Sequence, residues 1–346
     1  IEPLRDNPLL TLKLNAGVNR ILVENERAIG VIYRGLDGAE HTAQASGDII
    51  LSAGALVSPK LLMLSGIGPG DELRKHGIPV AADLPGVGQN LMDHPEVPLI
   101  ATFNGPFGYH GHGDGWRMIQ HGLHFKLFGG GKILSAGVEA GAFVNPLDPE
   151  AEPSIQAFCV PDIYLDRDVL NAVEKTHGVT ITTVVTKPKS RGFVKLRSPN
   201  PADMPIVSPN LLQHPDDMAT MIAGQRLFIR AFENGPLGER IARIVKPDPT
   251  DLSDEALVTH CKRLVKTNYH PAGTARMGAD GDPMAVLDAQ LRVRGIANLR
   301  VADMSACPNI NAGNTAAPAM MIGDRCASFI QDTALASQER EDLRVA

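Results

Sequence analysis

The chain has 346 residues, with 33 lysines and arginines against 39 aspartates and glutamates, which gives a formal net charge of −6 at pH 7. This acidic balance and an aromatic content of 4% argue against a nucleic-acid-binding protein, which needs basic surfaces and rings that stack on bases. A hydrophobic content of 43% predicts a globular protein with a substantial core and argues against a disordered or fibrous chain. The length predicts about two domains.

The cysteines and the hydropathy bear on the cellular compartment. The four cysteines lie far apart and form no CxxC pair, so the sequence shows neither a zinc motif nor a disulfide framework. No run of residues approaches the ~18 consecutive apolar positions of a transmembrane helix, and the first residues lack the charged-then-apolar order of a signal peptide. We therefore predict a cytoplasmic protein with free thiols and no membrane span.

The first part of the chain has the pattern of an α/β fold. Short β-rich runs occupy residues 11–14, 19–24, 28–34 and 47–55, with a hairpin turn at Asp37-Gly38. The apolar run Ile49–Leu51 is typical of a strand buried on both faces, and small residues follow it. Two short helices are predicted next, around 61–64 and at 71–77, and glycines end both.

Beyond residue 92 the pattern changes to loops, prolines and longer β-runs. Residues 179–186 are almost wholly β-branched and residues 192–198 alternate apolar with polar positions, which predicts an antiparallel sheet with one solvated face. Helical spacing at 216–233 and 253–265, an apolar strand at 298–303 and a helix from 316 to 330 follow. The charged tail after residue 332 is expected to fray.

A glycine loop for a dinucleotide has the spacing GxGxxG between a strand and a helix, and this sequence lacks it. Gly66, Gly68 and Gly70 follow a helix. Gly86-Val87-Gly88 has no third glycine at the required position. Neither group of glycines predicts a nucleotide site.

Four blocks of sequence carry a family resemblance. They are GALVSPKLLMLSGIG (54–68), LPGVGQNLMDHP (84–95), YHPAGTARMG (269–278) and LRVADMSACPNINAGNTAAPAMMIGDRCA (299–327). In order and spacing they resemble the second signature, the segment after it and the two C-terminal active-site blocks of the glucose-methanol-choline (GMC) flavin oxidoreductases. The resemblance covers nearly the whole chain and implies an FAD-dependent oxidoreductase that acts on alcohols.

The resemblance also implies the fold: an α/β FAD-binding domain and an α+β substrate domain with an antiparallel sheet. Residues 1–92 would form the middle part of the FAD-binding domain, 93–265 the substrate domain with interleaved helices, 266–332 the C-terminal part of the FAD-binding domain, and 333–346 a polar tail. In the family, the glycine loop for the ADP half of FAD lies in an N-terminal segment that precedes the equivalent of Ile1. We therefore expect a partial FAD-binding domain here, completed by a second polypeptide.

Two residues match the family's catalytic pair. His270 matches the histidine that removes the hydroxyl proton, a role that suits an imidazole because it titrates near neutral pH. Asn314 occupies the second position, which is histidine or asparagine in the family, and its amide would orient the substrate oxygen. Asn314 is also suited to capping the helix that follows it. The amide N–H groups of that helix would face the flavin and favour its anionic reduced form.

Further residues match cofactor positions in the family. Asp303 would contact the chain of the cofactor, and Val18 would lie near the adenine, while Tyr269, Ala302 and Thr315 are assigned to the cofactor together with Asn314. The alternative for Asp303 is a strand-end aspartate that caps a turn. The alternative for Val18 is an ordinary core residue of a strand.

Glu139 bears on the choice of substrate. It resembles a glutamate that faces the pocket in choline-oxidising members, where a quaternary ammonium would balance its charge. One tryptophan and four tyrosines supply few rings for the aromatic cage that such a ligand favours. A primary alcohol is the predicted substrate class, and the sequence is compatible with both choline-like and neutral alcohols. It does not distinguish an oxidase from a dehydrogenase, nor covalent from non-covalent FAD.

Parts of the sequence are compatible with two alternative functions. A non-catalytic flavoprotein-like subunit that binds a partner or ligand is compatible with the absent glycine loop, although such a protein has no reason to keep both His270 and Asn314. The histidines at 110, 112, 121 and 124 raise the hypothesis of a metal hydrolase. No acidic or cysteine ligand stands at matching spacing, so we predict no metal site.

Overall fold

An antiparallel three-stranded sheet opens the fold. The structure is a computed structural model that describes residues 2–164 and 175–345, with side chains up to residue 333. Strands β1 (Gly17–Glu24), β2 (Arg27–Arg34) and β3 (Glu40–Gln44) pair in this order, and the expected turn at Asp37-Gly38 joins the last two. The turn between β1 and β2 places Asn25 and Glu26 at φ 48° and 59°, as a two-residue hairpin requires. The strand expected at 11–14 is wrong, since those residues are exposed and pair with no described strand.

A parallel strand pair joins two segments that are distant in sequence. β4 (Ile49–Leu51) pairs in register with β15 (Leu299–Val301). Leu51 and Val301 are buried, but Ile50 is 43% exposed, so the described residues cover only one face of β4 and not both as expected. The two predicted helices follow β4 as α1 (Ser58–Leu64) and α2 (Gly70–Lys75), with the short parallel strands β5 (Ile67–Gly68) and β6 (Ala82–Asp83).

The largest sheet in the described part of the chain is antiparallel and lies in the middle of the sequence. Its strands are β7 (Pro95–Phe103), β8 (Ala140–Val144), β9 (Ile155–Val160), β10 (Gly178–Val185), β13 (Ile241–Lys246) and β14 (Lys266–Thr267). The order is β13-β7-β10-β9-β8, and β14 pairs with the start of β7. The β-branched run at 179–186 is thus confirmed as a strand, in the centre of this sheet. The run at 192–198 lies outside it, because β11 (Phe193–Lys195) pairs with β12 (Ile206–Ser208) in a separate sheet.

Two helices cover one face of the large sheet. α4 (Pro215–Glu233) and α6 (Asp254–Leu264) pack on the odd-numbered residues of β7, β9 and β10, and Ile229 and Phe232 belong to the cluster that holds Leu99 and Ile181. The opposite face carries the even-numbered positions of β9, including Gln156. Since side chains alternate along a strand, Gln156 points away from α4 and α6.

Three further helices complete the described elements. They are α3 (Gly115–Phe128), α5 (Gly235–Gly238) and α7 (Ala316–Val345). α7 continues beyond the expected end at residue 330, because its last turns are rich in alanine, leucine, glutamate and arginine and contain neither glycine nor proline. None of the helices in the described ranges is both long and apolar enough to cross a membrane.

Candidate active site

The main chain of His270 is held by a buried aspartate. Strand β14 ends at Thr267 beside the start of β7, so residues 267–270 pass close to Asp93. The Asp93 carboxylate accepts the amide N–H of His270 at 3.1 Å and the hydroxyl of Thr267. Between them, Tyr269 adopts a left-handed φ of 60° and its side chain is 63% exposed. The reversal at Tyr269 turns the ring of His270 inward, where the residue is only 7% exposed.

A second histidine contacts the ring of His270. The Nδ1 atoms of His94 and His270 are 2.9 Å apart, and the two rings meet edge to face at 88°. His94 is fully buried, and its Nε2 donates to the main-chain carbonyl of Asn311 at 3.0 Å. The side-chain amide of Asn268 also lies 3.3 Å from Nδ1 of His270. One edge of the His270 imidazole is therefore enclosed by protein.

The other edge of the imidazole meets an asparagine. Nδ2 of Asn314 donates to Nε2 of His270 at 3.4 Å. The amide oxygen of Asn314 accepts from Nε2 of Gln156 at 3.1 Å. Gln156 is 4% exposed and stands on the face of the large sheet that α4 and α6 leave free. The structure therefore brings together His270 and Asn314, as the sequence predicts.

Burial keeps both histidines uncharged at neutral pH. Desolvation lowers the pKa of His270 below its usual value of 6.5. Desolvation, and then repulsion from His270, lower the pKa of His94 to about 4. Burial raises the pKa of Asp93, while its hydrogen bonds to Thr267 and the main chain act in the opposite direction. A neutral His270 is an acceptor for a proton, which is the state that a general base needs.

The site opens on one side to an exposed surface. Asn314 is exposed although it contacts buried groups, and the first turns of α7 expose Met320 and Met321 by 70% and 58%. The side-chain oxygens of Gln156 and Asn311 are buried without a partner in the described part of the chain. The first turn of α7 also leaves amide N–H groups without intrahelical partners. These leftover donors and acceptors, beside apolar surface, fit a flat molecule with polar edges.

The carboxyl ends of β4 and β15 form a second part of the site. Ser52 and Ala53 follow β4 and are exposed, and Gly54 has a positive φ with open space where a side chain would project. In open α/β sheets, ligands bind beyond the carboxyl ends of the parallel strands. The small residues predicted from the sequence to allow a close approach therefore lie where a nucleotide would bind.

Asp303 stands at the same edge with its carboxylate fully occupied. One oxygen accepts from the amide of Gly54 at 2.9 Å and from the hydroxyl of Ser58 at 2.5 Å. The other oxygen accepts from the amide of Ser305 at 2.7 Å and from the hydroxyl of the same residue. This capping role is the alternative that the sequence left open. Its neighbour Ala302 donates its amide to Leu51 at 2.8 Å, and a cofactor contact by either residue stays a prediction.

The remaining predicted residues are Val18, Thr315 and Glu139. Val18 belongs to β1 and is 39% exposed, so it is not a core residue, and Thr315 precedes α7. Glu139 is exposed, and its carboxylate accepts from the hydroxyls of Tyr109 and Ser135. Those hydrogen bonds, from Ser135 first, lower the pKa of Glu139 below its usual value.

The register of the sheet relates Glu139 to the catalytic pair. The amide of Glu139 donates to Cys159 at 3.0 Å and extends the β8–β9 ladder, which pairs Phe143 with Gln156. Glu139 and Phe143 are an even number of residues apart, so Glu139 lies on the same face of the sheet as Gln156. Along the strand, Glu139 is four residues, or about 13 Å, from Phe143, the partner of Gln156.

The histidine-rich stretch forms contacts of its own. His112 lies 3.0 Å from His121, and Nζ of Lys132 donates to His112 at 2.9 Å. His124 contacts the carbonyl of Gly130. Among the residues that the structure describes, no group of three or more histidine, cysteine, aspartate or glutamate side chains is placed to hold a metal ion.

His94 and Gln156 were missed as site residues in the sequence. His94 belongs to the block LPGVGQNLMDHP that carries part of the family resemblance, and its position beside Asp93 and Pro95 was the available signal. Gln156 is a polar residue inside the apolar run IQAFCV, and burial on a strand interior marks such a residue as hydrogen-bonded. Neither signal identifies the partner, which lies far away in the sequence.

Comparisons with known proteins agree with this arrangement. Two family models described as GMC oxidoreductase match residues 3–96 and 188–323, more than half of the chain. The chain is 37% identical to the alcohol dehydrogenase [acceptor] of Pseudomonas putida over 94% of its own length and 58% of the relative's. It is 36% identical to the mitochondrial choline dehydrogenase of Mus musculus over 96% of its own length and 55% of the relative's.

A solved structure shows the same architecture. Formate oxidase from Aspergillus oryzae, in which the FAD is subject to modification, superposes with a TM-score of 0.87 at 26% identity, over 95% of this chain and 62% of the other. The chain thus spans little more than half the length of the curated relatives that it matches. The described architecture is an FAD-binding fold joined to a substrate domain that contains the large antiparallel sheet. The two family models, the relatives and the shared fold establish that this chain belongs to the GMC oxidoreductase family.

Proposed function

We propose that this protein oxidises a primary alcohol to an aldehyde with FAD as its cofactor. The observation that carries the proposal is the imidazole of His270, which is buried, uncharged at neutral pH, and faces the Asn314 amide at the open side of the site. The alcohol and choline dehydrogenases among the relatives support an alcohol as the substrate. The separate N-terminal polypeptide expected from the sequence gains no support from these similarities.

Separate residues of the chain have separate roles in the proposed reaction. When bound, FAD supplies an acceptor for hydride at its N5 atom. Nε2 of His270 takes the hydroxyl proton of the alcohol, while Nδ2 of Asn314 donates to the alcohol oxygen and orients the carbon-bound hydrogen. The amide N–H groups that open α7 would stabilise negative charge on the bound cofactor.

We assign two surfaces to the cofactor. The isoalloxazine ring would lie over the open side of the site, between Tyr269 and the residues before α7, including Thr315. The rest of the cofactor would run past the carboxyl ends of β4 and β15, near Ala302 and Asp303, toward Val18. A contact from the side chain of Asp303 would require one of its present donors to move, so the main chain of this turn is the more suitable ligand.

Replacement of His270 by alanine tests the proposed base. His270→Ala is expected to lower the rate of flavin reduction by alcohol by roughly 10²- to 10⁴-fold, the usual contribution of a positioned acid-base group. Anaerobic stopped-flow absorbance of the full-length FAD-loaded protein measures this rate. His260→Ala is the matched control. His260 lies on α6, outside the site, and like His94 it is buried and binds a main-chain carbonyl, that of Pro98. An unchanged rate in His270→Ala would remove His270 from the mechanism, whereas no flavin reduction by alcohol in the unmodified protein would favour a non-catalytic binding protein.

The pH dependence follows from the lowered pKa of His270. The base is competent only when neutral, so kcat/KM for an alcohol is expected to rise with pH through a pKa below 6.5 and then to level off. His94 stays neutral above pH 5 because its own pKa is about 4, and it adds no charge in this range. Steady-state kinetics between pH 5 and 9 check the profile. An acid limb centred above pH 7 would contradict a base whose pKa is lowered by burial.

Gln156 is expected to position Asn314. Gln156→Leu removes the donor to the Asn314 oxygen and should reduce flavin reduction by about 10-fold, as expected when the partner of an active-site group is lost. Gln225→Leu is the control, since Gln225 is equally buried, on α4, and binds the carbonyl of Val97. Equal effects of the two variants in stopped-flow experiments would assign to Gln156 a structural role alone.

Glu139 distinguishes cationic from neutral substrates. Its carboxylate lies on the face of the sheet that carries Gln156, so if substrate binds over this face Glu139→Gln should raise KM for choline by ~10-fold or more while changing KM for an aliphatic primary alcohol little. Parallel steady-state kinetics with both substrates measure the difference, and Glu150→Gln serves as an exposed control. If KM for the neutral alcohol rises as much as KM for choline in Glu139→Gln, Glu139 does not recognise the charge of the substrate.

A further inference from the structure

One chain of hydrogen bonds runs through the site from the large sheet to a main-chain carbonyl. Gln156 donates to Asn314, Asn314 contacts Nε2 of His270, and Nδ1 of His270 contacts Nδ1 of His94. The chain ends where Nε2 of His94 meets the carbonyl of Asn311. Amides and imidazoles can each reverse their polarity, but a carbonyl can only accept. The last link therefore determines the direction of every other link.

The direction can be followed from Asn311. Its carbonyl requires a hydrogen on Nε2 of His94, and a neutral imidazole carries only one, so Nδ1 of His94 is a bare acceptor. Burial makes the neutral form of His94 the relevant one, since it lowers the pKa of this ring to about 4. The N–H between the two rings therefore belongs to Nδ1 of His270.

The same step determines the state of His270. With its hydrogen on Nδ1, the neutral ring has its lone pair on Nε2, which lies toward Asn314 and the open side of the site. Asn314 must then present its NH2 group to His270 and its oxygen to Gln156, as observed. In the structure, Nδ2 of Asn268 lies 3.3 Å from Nδ1 of His270, so the Nδ1–H tautomer requires this amide in the reversed orientation, with its oxygen facing the ring.

We propose that His94 is a positioning residue that holds His270 in the Nδ1–H tautomer, so that Nε2 is the atom that accepts the proton. The role in catalysis rests on the proposed alcohol oxidation, whereas the tautomer is a property of the folded protein. Histidine bases in enzymes are commonly oriented by a carboxylate, which also stabilises the charged ring. Here the partner is uncharged, so it selects the tautomer without the attraction that would raise the pKa of His270.

The tautomer can be observed directly. The full-length FAD-loaded protein, labelled with ¹⁵N-histidine, is examined by long-range ¹H–¹⁵N correlation NMR at a pH above the acid limb, and His270→Ala assigns the signal. Protonated Nδ1 and bare Nε2 at His270 are expected. The reverse pattern in the unmodified protein overturns the proposal, and this result needs no variant of His94 to fold.

Variants at His94 test whether the partner selects the tautomer. His94→Leu removes the acceptor and should mix the two tautomers and lower flavin reduction by about 10- to 100-fold. In His94→Asn the side-chain oxygen stands near the former Nδ1, so the Nδ1–H tautomer and most of the rate should return. His260→Leu, which removes another buried histidine, should change neither observable.

The outcomes separate the two proposals. An unchanged tautomer in a folded His94→Leu variant, or the same loss of rate in His94→Asn as in His94→Leu, overturns the role of His94. If no alcohol reduces the flavin, the proposed function is wrong. The NMR measurement then still determines the tautomer of His270.

Discussion

The active site depends on one buried pair of neighbours, Asp93 and His94, immediately before strand β7. Asp93 holds the main chain of His270 and His94 holds its ring, so two adjacent residues place both the backbone and the imidazole. β7 is in turn paired with β10, β13 and β14, which ties this anchor to the centre of the large sheet. The backbone and the ring of His270 are thereby both anchored to the largest sheet of the described fold, as a precisely placed functional group requires.

The electrostatics of the site follow from burial without a countercharge on the imidazole edge. Desolvation disfavours the charged forms of His94 and His270, and the proximity of the two rings disfavours a charge on both at once. The pair therefore behaves as a neutral hydrogen-bonded unit with one free lone pair.

The two sides of the site come from different parts of the chain. The large sheet contributes Gln156 on the face left free by α4 and α6, while the loop before α7 contributes Asn311 and Asn314. The carboxyl ends of β4 and β15 add an edge of small, open residues. His270 lies where these surfaces meet, and the exposed start of α7 provides the apolar area that an aromatic cofactor would cover.

Much of this protein follows from its sequence. The four blocks of the GMC family, the pair His270 and Asn314, and most helices and strands are local patterns that can be read along the chain. Local patterns were misleading at residues 11–14, which form no strand, and at 192–198, which lie outside the large sheet. They also did not reveal the roles of His94 and Gln156. Each depends on which distant segment supplies a partner, and strand pairing brings residues 94, 156, 270 and 314 together across long separations. The family block around His94 marks the segment, but only packing shows which of the 11 histidines places its ring against His270.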